Sequence, residues 1–238
     1  MKKFNESLLK KSLPAIIIIA LSVPAAFFLS YNLIKAHAKN TALREMAVIA
    51  ELYKGQVCQF LEMTGRRAHD FASDGFIRTR LPKEIRVREV SVNNLSKYLT
   101  ENKITLDESI KTIHILSMEG RVVASTDNSE IGKDLSKETF FVKGKEAITL
   151  VENPAGHDGL PELAVSAPIF NMRCRLGEAK RTQQIGVLVN TIRLSELNKI
   201  LSGEYHEERH SILPDKIRGK GIEVYLVNRD KRMITNSI

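Results

Sequence analysis

The stretch TIHILSMEGRVVAS, residues 112–125, decides the fold of this chain. Residues 112–116 and 122–125 are short apolar runs, and the turn Met118–Arg121 lies between them. Two such runs joined by a polar turn that contains glycine are typical of a β-hairpin. The stretch therefore predicts two antiparallel strands.

Helices and further strands are predicted on both sides of this hairpin. Apolar residues recur every three or four positions over 35–72, and a second helix is predicted over 83–99 behind Pro82, which suits a helix start. Three more strands and one helix are predicted downstream, at 147–151, 163–167, 185–192 and 194–201. Helices followed by antiparallel strands predict an α+β fold, in which helices back a sheet.

The C-terminal residues repeat the plan of the hairpin. VYLVNRDKRMITNS at 224–237 and IHILSMEGRVVAST at 113–126 share an apolar strand, a polar turn, a second strand and Thr or Ser. We expect a second, similar module to start at 222–238, after a linker at 204–221. We also expect an output domain on the C-terminal side of that module.

An uncharged apolar run lies near the N-terminus. Residues 13–34 read LPAIIIIALSVPAAFFLSYNLI, and a helix of about 20 such residues crosses the hydrocarbon core of a bilayer. Residues 1–12 carry four lysines, which favours a cytoplasmic N-terminus and an extracytoplasmic remainder. The alternative is a signal peptide cleaved after Ala36-His37-Ala38, but signal peptides have shorter apolar cores. We expect a single-pass anchor in the inner (plasma) membrane.

Charge and cysteine content exclude some classes of protein. The net charge of +8 comes from residues 1–12 and 35–100, whereas residues 101–238 are balanced. This gradient argues against a nucleic-acid-binding face on the globular part and fits a basic stem near anionic lipid. The two cysteines, Cys58 and Cys174, form no metal-binding motif, and their pairing stays open.

Together these features resemble the double Cache sensor domains of bacterial membrane receptors. The resemblance covers about residues 35–238 and rests on the order and spacing of motifs that are loose individually. Besides the anchor and the hairpin, the motifs are DFASDGFIR at 70–78, NSEIGKDLS at 128–136, AVSAPI at 164–169 and IGVLV at 185–189.

The resemblance implies a fold and a function. It implies a stalk helix at 35–80 and a membrane-distal, PAS-like Cache module at 81–203. Such domains sense small molecules outside the cytoplasm, work in pairs, and feed histidine kinases, chemotaxis signalling domains or cyclic-dinucleotide enzymes. We therefore expect a homodimeric receptor with no catalysis, metal or cofactor in residues 1–238.

Four residues of these motifs have predicted physical roles of their own. Gly132 suits a tight turn with positive φ, and Gly186 suits a strand irregularity or a close backbone approach. Asp134 or Ser136 is predicted to cap a short helix that follows. We expect these positions to serve folding more than ligand binding.

The resemblance also indicates where a ligand would bind. In this family ligands lie against the sheet under loops, which correspond here to 137–141, 152–162 and 163–166. Phe140 and Phe141 would form the wall of a pocket, or else lie in the core. Asp158 and Glu162 would bind a cation or an amine, or else lie solvated in a loop. Ser166 completes the predicted site.

Two positions depart from the amino-acid-binding receptors of the family. Those receptors carry an arginine two residues before the aromatic pair, where this chain has Glu138. They also carry an aspartate in the last strand, where spacing places Thr191. We therefore expect a small ligand other than a standard α-amino acid.

One sequence motif supports a different class of function. His206-Glu207-Glu208-Arg209-His210 matches the H-E-x-x-H pattern, in which two histidines one helical turn apart bind zinc and the glutamate acts as a base. Gly203 and Pro214 leave barely two helical turns around it. A membrane-anchored zinc metallopeptidase is therefore the alternative to the sensor, and a solvated linker is the simpler interpretation.

Overall fold

The structure, a computed structural model, describes residues 2–86, 94–153, 162–172, 182–202, 225–227 and 231. Within these ranges, five α-helices, two short 3-10 helices and five strands are assigned. The helices are α1 (Lys2–Ala72), α2 (Gly75–Arg86), α3 (Asn94–Asn102), α4 (Thr139–Gly144) and α5 (Ser195–Ser202). The strands are β1 (Ile110–Leu116), β2 (Val122–Ser125), β3 (Thr149–Asn153), β4 (Glu162–Met172) and β5 (Thr182–Arg193).

The chain divides into two compact units, residues 1–52 and 53–238. The first unit is the N-terminal part of α1, and from Leu21 to Val48 its large apolar side chains are mostly exposed. In the part of the chain that the structure describes, no helix meets the length and hydropathy needed to span a bilayer. The span at 13–34 stays a prediction.

The second unit contains an antiparallel sheet with the strand order β2-β1-β5-β4-β3. β5 lies at the centre and pairs with β1 on one edge and with β4 on the other. The predicted hairpin is confirmed, since β2 has the predicted bounds and β1 begins two residues earlier than expected. The α+β class, with helices and an antiparallel sheet, is confirmed as well.

The two faces of the sheet are covered by different elements. On one face, which we call the α4 face, Phe140 and Phe141 of α4 pack with side chains from four strands. Those strand residues are Leu116, Val122, Ala164, Val187 and Val189. The opposite face, which we call the helix face, meets α2, whose Leu81 lies against Gly186.

Gly186 confirms both roles predicted for it. A Cβ at this position would lie 2.4 Å from the carbonyl oxygen of Leu116, so only glycine allows β1 and β5 to approach this closely. The register between β4 and β5 also shifts here, because Ile169 faces Gly186 and Phe170 faces Gln184. The shift leaves Ile185 as the extra residue of a β-bulge.

The second predicted helix has different bounds. Pro82 was expected to start a helix over 83–99, but it lies inside α2. α3 spans Asn94–Asn102, and residues 87–93 lie outside the described residues. The reason is Asp74, whose Oδ1 accepts hydrogen bonds from the backbone N–H groups of Phe76 (2.8 Å) and Ile77 (3.2 Å). This cap starts α2 near Gly75 and separates it from α1, so the stalk predicted at 35–80 contains two helices.

Asp74 also joins three helices. Its Oδ2 accepts from Lys103 Nζ (2.6 Å), just after α3, and from the Tyr98 hydroxyl (3.0 Å). Burial opposes ionisation of Asp74, but its hydrogen bonds from Lys103, the Ile77 N–H and Tyr98 together lower its pKa. Because the folded pKa is depressed, this stabilisation is present above the ordinary pKa of aspartate. It is lost as the pH falls through the lowered value.

The helix cap predicted at Asp134 or Ser136 is wrong. Asp134 Oδ1 accepts from the Ser136 N–H (2.9 Å) and closes a local turn, and the residue at the N-cap of α4 is Glu138, whose side chain makes no capping bond. The prediction for Gly132 is confirmed by its φ of +87°. The linker and second module predicted from residue 204 onward lie outside the described residues, except for 225–227 and 231.

Substitution at two turn glycines should separate backbone strain from steric conflict. Gly120 has a φ of +86°, and a Cβ there would lie 2.4 Å from Ser136 Cα. Gly132 has nearly the same φ, +87°, but no atom lies within 4 Å of such a Cβ. We expect Gly132→Ala to cost about 1 kcal/mol of unfolding free energy and Gly120→Ala about 3 kcal/mol in urea denaturation. Equal losses would contradict the predicted conflict with Ser136.

Candidate functional site

A row of polar side chains crosses the α4 face at the end where β1 begins. His114 of β1 is buried, with its Nδ1 3.0 Å from Ser125 Oγ and its Nε2 3.2 Å from Thr112 Oγ1. Thr112 Oγ1 is in turn hydrogen-bonded to Thr191 Oγ1 of β5. Four residues of three neighbouring strands thus form one hydrogen-bonded row, and we call it the polar row.

The backbone explains how the polar row forms. Thr112 and His114 share a face of β1 because side chains alternate along a strand, and register pairs His114 with Ser125 on one side and Val189 on the other. The register between β1 and β5 shifts between Ile110 and Thr112. Thr191 Oγ1 accepts from the Thr112 N–H at 3.1 Å, so this hydroxyl closes the irregular ladder.

A buried ion pair lies at the same end of the sheet. Lys111 Nζ is 2.6 Å from Glu162 Oε1, and the two side chains are 19% and 6% exposed. Lys111 belongs to the shifted part of β1, and Glu162 is the first residue of β4. The carboxylate predicted to bind a cation is therefore already paired with an ammonium group of the chain itself.

The other predicted ligand residues lie in different surroundings. Phe140 and Phe141 are buried in the apolar cluster under α4. Ser166 is fully buried under the same helix, where a Cβ on Gly144 would lie 2.5 Å from its Oγ. Asp158 lies outside the described residues. The structure thus brings the two phenylalanines and Ser166 together and places Glu162 farther along β4, toward the polar row.

Sequence reasoning missed most of the polar row. The sequence analysis predicted none of Lys111, Thr112, His114 and Ser125 as site residues. The available signal was a set of polar residues at alternate positions of a strand whose other side chains are apolar. Such a pattern indicates a polar stripe on one face, but it does not show which neighbouring strand completes it.

The two positions at which this chain departs from amino-acid receptors differ in their burial. Thr191 is buried in the polar row, whereas Glu138 is exposed at the start of α4. The structure therefore places a hydroxyl group on the sheet where those receptors were expected to carry an aspartate.

Two clefts lie away from the predicted ligand residues. The larger, of about 410 Å³, is lined by His69, Ala72, Ser73, Arg78, Ile148, Pro168 and Phe170. The smaller, of about 270 Å³, is lined by Ser96, Lys97, Thr100, Glu101 and Asn128. Neither includes a residue of the polar row.

The described part of the chain contains no candidate metal site. Among the described residues, no three His, Cys, Asp or Glu side chains are grouped so that they would hold a metal ion. The motif at 206–210 lies outside those residues, and so does Cys174, whereas Cys58 is a free, exposed thiol. The peptidase alternative therefore has no supporting observation.

Comparison with solved structures identifies the fold. The chain matches the sensor domain of the Vibrio cholerae histidine kinase DctB with a TM-score of 0.53 and 14% identity, covering 68% of this chain and 59% of that domain. The fold is that of Cache-type sensor domains. No protein-family model and no curated protein sequence matches the chain.

Two chemoreceptor domains share this Cache-type fold. The ligand-binding domain of Campylobacter jejuni Tlp3, in complex with L-valine, has a TM-score of 0.52 and 11% identity, covering 77% of this chain and 66% of that one. The ligand-binding domain of Pseudomonas fluorescens CtaA, in complex with L-alanine, has a TM-score of 0.50 and 14% identity, with coverages of 81% and 71%. All three neighbours are sensor or ligand-binding domains of receptors rather than catalytic domains. The expectation that amino acids are excluded as ligands gains no support from them.

The ion pair at the sheet end should behave as a coupled unit. Lys111→Met leaves the Glu162 carboxylate buried without its partner, and we expect it to cost about 3 kcal/mol in urea denaturation. Adding Glu162→Gln to that variant should restore most of the loss, because the uncompensated charge is then gone. If the double variant were less stable than Lys111→Met alone, the two groups would not form the pair described.

Proposed function

We propose that this chain is the extracytoplasmic sensing region of a membrane-bound receptor and binds a small molecule on the α4 face of its Cache-type sheet. The polar row carries this proposal. Buried hydroxyl and imidazole groups offer directed donors and acceptors, and the aromatic cluster next to them offers apolar surface. A few placed polar groups beside apolar walls are typical of small-molecule sites.

The ion pair bears on the kind of ligand. Glu162 and Lys111 present one negative and one positive group at the edge of the polar row. Because the two groups are paired with each other, a ligand that carries an amine, a carboxylate or several hydroxyl groups would have to exchange this internal pair for contacts of its own. The L-valine and L-alanine complexes of the neighbours make amino acids one class to be tested beside amines and carboxylates.

A series of contacts connects the strands of this site to α1 and supports transmission of a ligand-induced change to that helix. Arg67 Nε of α1 lies 3.5 Å from Asp107 Oδ2, just before β1. The other oxygen of Asp107 accepts from the Ser109 hydroxyl at 2.6 Å, and the Ser109 carbonyl accepts from the Arg193 N–H of β5 at 3.1 Å. The strands that hold Lys111 and Thr191 are thereby tied to the helix that we propose as the stalk.

Anchoring and pairing complete the proposed receptor. The uncharged run at 13–34 supports an anchor in the inner membrane. Along α1, Leu43 and Met46 are 54% and 56% exposed, whereas Tyr53 and Val57 are buried. The exposed section supports pairing with a second copy, and the buried section supports packing within the module.

A thermal-shift screen of the full chain in detergent tests the proposal. The panel contains the twenty amino acids, dicarboxylates and amines. We expect one class to raise the melting temperature saturably, and Thr191→Val to weaken that response at least about tenfold because it removes a hydroxyl of the polar row. The control is Arg78→Gln, which alters the 410 Å³ cleft and should leave the response unchanged. Loss of the response in Arg78→Gln alone would move the site to that cleft and contradict the proposal.

A further inference from the structure

Asn190 is a polar side chain at the centre of the apolar helix face. It is 1% exposed and lies on β5, where the register pairs it with Ile113 of β1 and Val165 of β4, both fully buried. The next side chains on the same face of β5 are Leu188 and Ile192, also buried. An amide is therefore enclosed by aliphatic groups on four sides.

Both polar atoms of this amide lack a hydrogen-bond partner in the described part of the chain. A buried amide carries two donor hydrogens and an acceptor oxygen, and leaving them unpaired is unfavourable. The next residue shows the contrast. Thr191 is also buried, but it points to the α4 face and is hydrogen-bonded to Thr112. The unpaired polar group is thus a property of the helix face at Asn190.

We propose that Asn190 keeps the packing of helices on the sheet metastable, so that movement of the helix layer is built into the fold. The amide penalises only the state in which it is buried. Any state in which the helices shift and the amide meets water or a backbone group gains the hydrogen bonds that the packed state lacks, and its population rises accordingly.

Two of the helices that contact the strands are short, namely α2, which contacts β4 and β5, and α3, which contacts β2. α2 has 12 residues and α3 has 9, and helices of this length depend on tertiary packing for most of their stability. Both bury apolar side chains, with Ile77, Leu81, Leu95 and Leu99 fully buried. A change at Asn190 should therefore appear in the opening of these helices.

Asn190→Val and Asn190→Thr, each in the full chain in detergent, test the proposal. The two side chains have the same branched shape and similar strand propensity, but threonine keeps a polar hydroxyl. We expect Asn190→Val to raise the melting temperature by about 5 °C and Asn190→Thr to raise it by clearly less. We also expect amide hydrogen exchange in α2 and α3 to slow at least about tenfold in Asn190→Val, with little change in β4.

Three results would overturn the proposal. An unchanged or lower melting temperature in Asn190→Val would show that an internal partner, such as a buried water molecule, satisfies the amide. Equal gains in the valine and threonine variants would assign the effect to strand propensity. A higher melting temperature with unchanged exchange in α2 and α3 would assign it to global stability rather than to the helix layer.

Discussion

The pairing of β5 along both of its edges is the constraint on which the rest of the structure depends. β1 and β4 both take their register from this strand, and two of the three register shifts in the described sheet lie along it. Because side chains alternate, Val187, Val189 and Thr191 point to the α4 face, whereas Leu188 and Asn190 point to the helix face. A slip of one residue would exchange the two sets.

This division gives the two faces different properties. Among the described strand residues, the buried side chains of the helix face are apolar except for Asn190. This face is covered by helices that Asp74 holds together through Lys103 and Tyr98. The α4 face changes from an aromatic cluster at one end to hydroxyl, imidazole and charged groups at the other. A sheet built in this way can bind a polar molecule on one face and move its helices on the other, which is the combination that a sensor requires.

Local patterns in the sequence predicted much of the sheet. The hairpin at 112–125 and the glycines at 132 and 186 each have a short-range cause, namely alternation, positive φ or lack of a Cβ. Pro82 led to a wrong prediction of the helix start, because proline is common in the first turn of a helix but here lies inside α2. The residue that starts α2 is Asp74, eight residues before Pro82, through its carboxylate. Helix starts depend on such capping groups more than on proline.

The site was less predictable because its contacts join distant parts of the chain. Lys111 and Glu162 are 51 residues apart, and Thr112 and Thr191 are 79 residues apart. Neither pair is visible until the order of the strands is known. Phe140 and Phe141 were recognisable as a buried pair, but only the structure places them in the apolar cluster beside the polar row.

Methyl NMR of the full chain, titrated with the compound that stabilises it most, tests the central claim most directly. Ala164 and Val189 lie on the α4 face, and their neighbours along the strands, Val165 and Leu188, lie on the helix face. The account predicts that Ala164 and Val189 shift first and saturate with binding, together with the threonine methyls at 112 and 191. Shifts confined to Ile148, beside the 410 Å³ cleft, or to Val165 and Leu188, would contradict a ligand site on the α4 face.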